Sequence, residues 1–562
     1  MVSFPSPSSY KFNTFKGIRT RNGIASGGVI SATECVNVDF VPSSYDAGVV
    51  IQTTKGNVKT LELTDSYADY TIIKGFEFDG EGTKYQIYYC EKEAEGNNNA
   101  NGVLLKYTNG EFSILETKYT YYDPEEPLEE DRYKQETIDP DNWMSVTRKA
   151  NSTTLYQAYN VFIFTNGIDY YAWCPDAEDN INKLRKIVPK VDIYDEGTGT
   201  LKETIYISGM AIASYNHAVV VGGTNGYVVA SRGDNIMDFD RLNDDYQRAW
   251  FETFGKPITA LVPYIEGLLV FTEDENTILS GMSSADTANR TDASLGGCMS
   301  FESWVKHDKY IFFYDNKQKN LYYYLQNDYG QKVLGEPIAP EVQKYFNNIT
   351  RLQMISYIGN NRSEIWLLSN NFKLIYDYFI GEWTERQCQD LTSYFVFDNN
   401  VYSTSANKVL KEKSGNIGIF DEEFYPSKYA MQLINLGSFS NMKEMEIQPL
   451  VSVTADFNNT FYIDCEIDGK KVKTKYVKAY NNGAVWGDDT PKDENTPDNE
   501  LWDEQVFPSE DDSVIQQIKG KFISNWYYLR FAFRTNARSD DFSITGFELK
   551  GITQETDTTG RK

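Results

Sequence analysis

Short apolar and aromatic runs, about four to eight residues long and broken by Gly, Asn and Asp clusters, recur along most of the chain. The pattern is clearest over residues 258–411. Residues 258–272 read as two strands about Glu266-Gly267, and 309–325 as a hairpin turning at 316–320. Residues 364–378 form a second hairpin at Asn371, and 393–404 a third at 398–400. Earlier, 34–40, 48–52 and 58–63 read as strands, followed by a meander over 71–78, 84–90, 102–107 and 111–117. A Thr-Asn-Gly tripeptide begins at Thr108, Thr165 and Thr224, at spacings of 57 and 59 residues. Asn-Gly suits two-residue hairpin turns because both positions need positive φ. The three tripeptides are taken as equivalent turns of successive repeat units.

Apolar residues at helical spacing predict two short helices, over 178–187 and 340–346. Beyond about residue 418 the alternating runs lengthen: 429–436, 442–454, 460–467, 471–480, 515–522, 528–534 and 542–551. Radial repetition of short strands suggests a propeller, and the later long strands a sandwich. The expected fold class is all-β, a β-propeller with a C-terminal β-sandwich and acidic loop insertions. The expected divisions are an extended arm over 1–30, a propeller over 31–417 with an insertion at 121–150, a sandwich over 418–555 with an acidic insertion at 484–513, and a tail at 556–562.

Composition sharpens this picture. Aromatics are 15% of the 562 residues, with 41 Tyr and 32 Phe, which suits half-buried pleated surfaces. No apolar run reaches the roughly 18 residues a membrane helix needs, and residues 1–10 lack the basic and apolar regions of a signal peptide, so no membrane partner is expected. Cys35, Cys90, Cys174, Cys298, Cys388 and Cys465 are scattered singly, as reduced apolar residues of a chain assembled in a cytoplasm would be. The net charge of −27 argues against tight nucleic-acid binding, and the longest basic stretch runs only from Lys470 to Lys475. Like charge would instead let a duplex pass without sticking.

Candidate chemistry is sparse. Only two histidines are present, His217 and His307, and both read as turn or edge residues; a Ser-His-Asp or Cys-His mechanism would have to use one of them. Residues 220–226 are glycine-rich but are followed by neither a helix nor Lys-Ser/Thr, so they read as a turn. An Arg-Gly-Asp at Arg232 reads as a blade-edge turn rather than an adhesion site. The acidic stretch 121–143 reads as a solvated loop; a divalent-cation site is the other reading, but the spacing is not that of a calcium loop. Its Glu125, Glu126, Glu129, Glu130 and Asp131, with Trp502, Asp511 and Asp512 of the second acidic insertion, are the candidate partner-docking or channel-facing residues. No catalytic residue, metal site or cofactor is assigned. Propellers do host glycosidases that use paired carboxylates, but 81 acidic residues give no basis for choosing a pair.

A family resemblance then enters. The order of Gly267-Leu-Leu-Val-Phe-Thr272, Thr277-Ile-Leu-Ser-Gly281, Leu295-Gly-Gly-Cys-Met-Ser300, a Tyr-rich hairpin, Pro337-Ile-Ala-Pro340, Arg362-Ser-Glu-Ile-Trp366 and Tyr376-Asp-Tyr-Phe-Ile-Gly-Glu-Trp383 resembles the tail hub and nozzle proteins of short-tailed phages. These are the tubular tail and packaged-DNA stabilisation families. Residues 230–239 resemble their Ser-x-Gly-Asp-Pro-x-x-Phe segment, with Asn235 in place of the proline and Phe239 one residue further on. Residues 528–550 resemble their closing strands, and Asn37-Val-Asp39 with Lys55-Gly56 their opening. The resemblance spans about residues 30–60 and 205–550; the two acidic insertions have no counterpart in it. It implies a non-enzymatic virion protein, assembled in the host cytoplasm as a homo-oligomeric ring, typically of six copies, beneath the portal and adaptor. Such a ring conducts DNA, helps retain the packaged genome and anchors tail fibres. The alternative expectation is a glycan-binding or glycoside-hydrolysing propeller.

Overall fold

The computed structural model describes residues 8–12, 14–19, 29–42, 48–80, 82–93, 99–123, 125–128, 132–141, 143–147, 153–177, 183–195, 198–232, 236–239, 250–264, 267–280, 289–293, 296–326, 332–335, 337–359, 361–434, 442–454, 457–478, 513–517, 522–526 and 528–556. Two compact units share the chain. One takes Lys59–Phe372 and Asp390–Lys411; the other takes Met1–Val58, Lys373–Gln389 and Glu412–Lys562.

The first unit is a β-propeller of six blades, all antiparallel between neighbouring strands of each meander. The first blade runs Thr71–Gly80, Thr83–Glu93, Asn99–Thr108, Glu111–Ile114. The second runs Thr154–Ala158, Val161–Thr165, Tyr170–Trp173, Leu184–Ile187. The third begins at Ala211–Tyr215, the fourth at Ile258–Tyr264 and the fifth at Trp304–His307. A hairpin, Leu352–Gly359 and Arg362–Ser369, follows the fifth. The sixth blade joins Ser393–Phe397, Asn400–Ser405 and Lys408–Lys411 to Val58–Glu62, a strand from far earlier in the chain.

Apolar clusters lie between successive blades, which is why strands buried on both faces read as unbroken apolar runs. Phe78, Ile87 and Leu104 of the first blade meet Phe162, Tyr171 and Trp173 of the second. Ile163 and Tyr170 meet Ile212, Val219 and Val221 of the third, which on its other face meets Leu261, Leu268 and Val270 of the fourth. Leu269 and Phe271 pack on Ile311 and Phe313 of the fifth. Phe395 and Val409 of the sixth return to Tyr88 and Leu105 of the first. Burial of each such side chain contributes roughly 1.5–3 kcal/mol.

Several sequence expectations change here. Of the predicted helix over 178–187, the part after Lys183 is the strand Leu184–Ile187, because Leu184 and Ile187 are needed opposite Trp173 and Tyr170; residues 178–182 lie outside the described residues. The second predicted helix is a single 3-10 turn, Gln343–Phe346. Part of the acidic stretch is not a loop: Lys118–Tyr122 and Tyr133–Thr137 pair antiparallel and extend the second blade through Thr120 and Arg185. Two of the Thr-Asn-Gly turns are equivalent. Asn166-Gly167 and Asn225-Gly226 join second to third strands of their blades, whereas Asn109-Gly110 joins a third to a fourth.

The second unit is a sandwich built from both ends of the chain. In one layer Ser543–Thr556 is flanked by Ser8–Phe12 and Met442–Thr454. In the other, Lys470–Lys478, Thr460–Ile467, Leu529–Arg534, Lys428–Met431 and Val29–Val36 pair in that order. Phe547 of the first layer lies 5.2 Å from Phe531 and 5.6 Å from Phe533 of the second, ring centre to ring centre. The strands over 8–53 thus belong with the sandwich rather than with an arm or a propeller opening.

Candidate functional site

The innermost strands of the propeller converge on a cavity of about 370 Å³. Residues 74–77, 154–156, 301–302, 304–305, 353–356 and 394–396 line it, with Met210, Ile212 and Leu261. Propeller geometry explains this: each blade presents its first strand to the axis, so residues scattered over 320 positions share one wall.

A buried charge cluster forms part of that wall. Lys74 donates to the Thr153 carbonyl, pairs with Glu302 and sits 4.7 Å from the Phe301 ring centre. Arg351 Nε approaches the other Glu302 oxygen at 3.8 Å. Burial lowers the Lys74 pKa, and Glu302 opposes that shift. No hydrogen bond of ordinary geometry reaches either Glu302 oxygen among the described residues, so contact with the two cations compensates its charge. Removing one member of such a buried set costs about 3–5 kcal/mol, because the other is left uncompensated.

Further buried polar groups bridge neighbours around the ring. Tyr170 of the second blade donates to the Gly209 carbonyl at 2.7 Å and accepts from Gly209 N at 2.8 Å, just before the third. Burial pushes its phenol up to about 12. Asn276 of the fourth blade bonds Tyr324 of the fifth at 2.9 Å. Gln353 of the hairpin donates to the Tyr394 carbonyl at 3.1 Å and accepts from Tyr394 N at 2.8 Å, on the sixth blade. Thr392, half-buried just ahead of that blade, donates to the Ile72 carbonyl of the first at 2.6 Å.

The two histidines have unlike settings. His217 is exposed at a turn with Asn216, both at positive φ (64° and 48°), as expected. His307 corrects its expectation: it ends a strand and is fully buried. Its Nδ1 lies 2.8 Å from Ser356 Oγ and its Nε2 2.7 Å from Ser363 Oγ, tying the fifth blade to the hairpin. Burial lowers its pKa, which favours the neutral ring.

Of the predicted docking residues, Glu125 is exposed at the tip of the hairpin that extends the second blade. Glu126 is drawn into that hairpin by Lys134 at 3.1 Å, which also holds Asp123 at 2.6 Å. Glu129, Glu130, Asp131, Trp502, Asp511 and Asp512 lie outside the described residues, as do Gly233 and Asp234 of the Arg-Gly-Asp. None of the six cysteines is in a disulfide, and burial pushes Cys298 up to about 12, well away from a reactive thiolate. Among the described residues no three His, Cys, Asp or Glu side chains converge as a metal set.

Sequence reasoning missed Lys74, Glu302 and Gln353. The one local signal was Lys74 itself, a charge inside the apolar strand Thr71–Gly80. Gln353 finds its partner 41 residues away, which no local pattern reports.

No family model and no curated protein matches this chain. Solved structures are similar only distantly. BBS1N in complex with ARL6DN matches at 9% identity over 64% of this chain and 96% of its own, with a TM-score of 0.34. The computationally designed Ika8 protein matches at 13% over 67% and 98%, with 0.33. The S. cerevisiae assembly of dbp5 bound to nup159 and gle1 matches at 7% over 71% and 99%, with 0.33.

Proposed function

We propose that this chain is a structural component of a phage tail. Copies form a ring that continues the DNA channel below a portal or adaptor, helps retain the packaged genome and anchors fibres or neighbouring tail proteins. The observation that carries the reading is the use made of buried and half-buried polar side chains. Tyr170, Asn276, His307, Gln353 and Thr392 each tie one blade to its neighbour or to the hairpin. Each such bond contributes about 0.5–1.5 kcal/mol, and an orphaned partner costs about 1–3 kcal/mol. A propeller braced in this way suits a part that must keep its shape under load. The axial cavity has the volume of a small-ligand pocket, so a DNA bore would be enclosed by several copies rather than by one chain. The net charge of −27 suits a bore through which DNA slides.

Negative-stain imaging and mass photometry of the purified protein, alone and with its portal or adaptor partner, test this. A closed ring, six copies being expected, supports the proposal. A chain that stays monomeric beside that partner yet cleaves polysaccharide overturns it.

The cavity favours a second reading, a glycan-binding or glycan-hydrolysing propeller. It has ligand-sized volume and the aromatic residues Tyr156, Trp304 and Tyr394 in its lining. Calorimetric titration with polysaccharide on the same samples separates the two: saturable binding abolished by Trp304→Ala supports the second reading.

A further inference from the structure

The Thr-Asn-Gly turns differ in a respect that governs a reaction asparagine undergoes unaided. Where glycine follows asparagine, its backbone nitrogen is unhindered and can attack the asparagine side-chain carbonyl carbon. Four Asn-Gly pairs lie within the described residues, at Asn101, Asn109, Asn166 and Asn225; Asn22-Gly23 and Asn482-Gly483 lie outside them. Three of the four are held. Gly167 N donates to Thr165 Oγ1 at 2.9 Å, and Asn166 is buried, its Oδ1 accepting from Ile168 N at 3.0 Å and Asp169 N at 2.8 Å. Gly226 N donates to the Gly223 carbonyl at 3.1 Å, and Asn225 Nδ2 to the Tyr206 carbonyl at 3.3 Å. Asn101-Gly102 sits inside Asn99–Thr108, where it is paired on both sides, and Asn101 Nδ2 donates to the Asp141 carbonyl.

Asn109-Gly110 is the exception. Both residues are exposed, and among the described residues neither the Asn109 side chain nor Gly110 N makes a hydrogen bond. Nothing lies within 4 Å of where a Gly110 Cβ would stand, so the turn has room to reorient. The strand it leads into, Glu111–Ile114, is the last of its sheet. We propose that Asn109 is a site of spontaneous deamidation, with Gly110 N as the nucleophile and water as the co-reactant. The nitrogen bonds to Asn109 Cγ, and the side-chain amide nitrogen leaves as ammonia with the proton that Gly110 N gives up. Water then opens the succinimide. Cleavage at Cγ leaves aspartate; cleavage at the main-chain carbonyl leaves isoaspartate, whose backbone runs through Cβ and Cγ and is longer by one carbon. A two-residue turn has no place for that carbon while Thr108 stays opposite Glu111. The product therefore loosens Phe112 from Tyr88 and Tyr107, whose ring centres lie 5.7 Å and 5.0 Å from its own. The reaction needs neither a ring of copies nor a glycan.

The test ages the full chain in mildly alkaline buffer, folded and in urea, and maps its peptides by mass spectrometry with fragmentation that separates aspartate from isoaspartate. Closure at the other three sites must first break hydrogen bonds or a paired strand, so in the folded chain Asn109 should convert about tenfold faster or more. Urea should bring the four rates together, since each asparagine then precedes an unhindered glycine. Copies converted to isoaspartate should exchange the amide hydrogens of 111–114 faster than fresh copies. Equal rates at the four sites in the folded chain, or an earlier reaction at any of the other three, overturn the proposal. So does a lead of Asn109 that persists undiminished in urea, which would come from neighbouring sequence rather than from the turn.

Discussion

At the scale of single residues, the clearest consequence belongs to His307. Its folded pKa is depressed by burial, so the unfolded chain binds a proton more readily than the folded one. The stability it contributes is fully present above about pH 6.5, the unfolded value, and is lost as pH falls from there toward the folded pKa. Replacing it with His307→Gln should lower the thermal midpoint at pH 7.5. It should also flatten the decline between pH 7 and pH 5, and a slope equal to that of the native chain would contradict the assignment. Charge at Lys74 was visible in the sequence as an interruption of an apolar strand, but its meaning was not. Glu302 lies more than two hundred positions away, and only closure of the blades brings the two together.

At the scale of elements, hairpins were legible because their turns are written locally. The Asn109-Gly110, Asn166-Gly167 and Asn225-Gly226 turns all have glycine at positive φ (92°, 86° and 81°). What local pattern did not reveal was which strands of a blade each turn joins, since that depends on where the inner strand starts. The acidic stretch 121–143, much of which falls in the hairpin over 118–137, reads as a loop for a related reason. Tyr119, Tyr121 and Tyr133 alternate weakly among charges, and its pairing to the second blade is through one parallel contact. The turns also differ in tolerance. A Cβ at Gly110 meets nothing within 4 Å, whereas at Gly226 it would meet the Lys256 carbonyl at 2.9 Å. Gly110→Ala should therefore cost about 1–2 kcal/mol from φ alone, and Gly226→Ala visibly more. Urea denaturation of both variants checks the order.

At the scale of the whole molecule, the all-β class and the propeller were legible from the recurrence of short strands, and the sandwich from the longer alternation after residue 418. The sequence did not reveal that the first fifty or so residues belong with the sandwich, because Ser8–Phe12 finds its partner at residues 547–551. Charge acts at this scale too. With 81 acidic against 54 basic side chains, the chain should leave duplex DNA unretarded in a mobility assay at physiological salt. Retardation that weakens steeply with added salt would show a concentrated basic face strong enough to overcome that balance.

The sixth blade carries a consequence in time. Thr60 bonds the Val409 carbonyl across 349 residues of sequence, at 3.1 Å, and Leu63 N bonds Asn407 O at 2.8 Å. The strand that seals the propeller therefore leaves the ribosome early and waits for nearly the whole circle to be made. Until then Val58–Glu62 lacks its blade, and the apolar face of the first blade at Tyr88 and Leu105 lacks the sixth. Such non-local closure is slow and invites misassociation, so refolding from denaturant should end in a late phase whose yield falls with protein concentration.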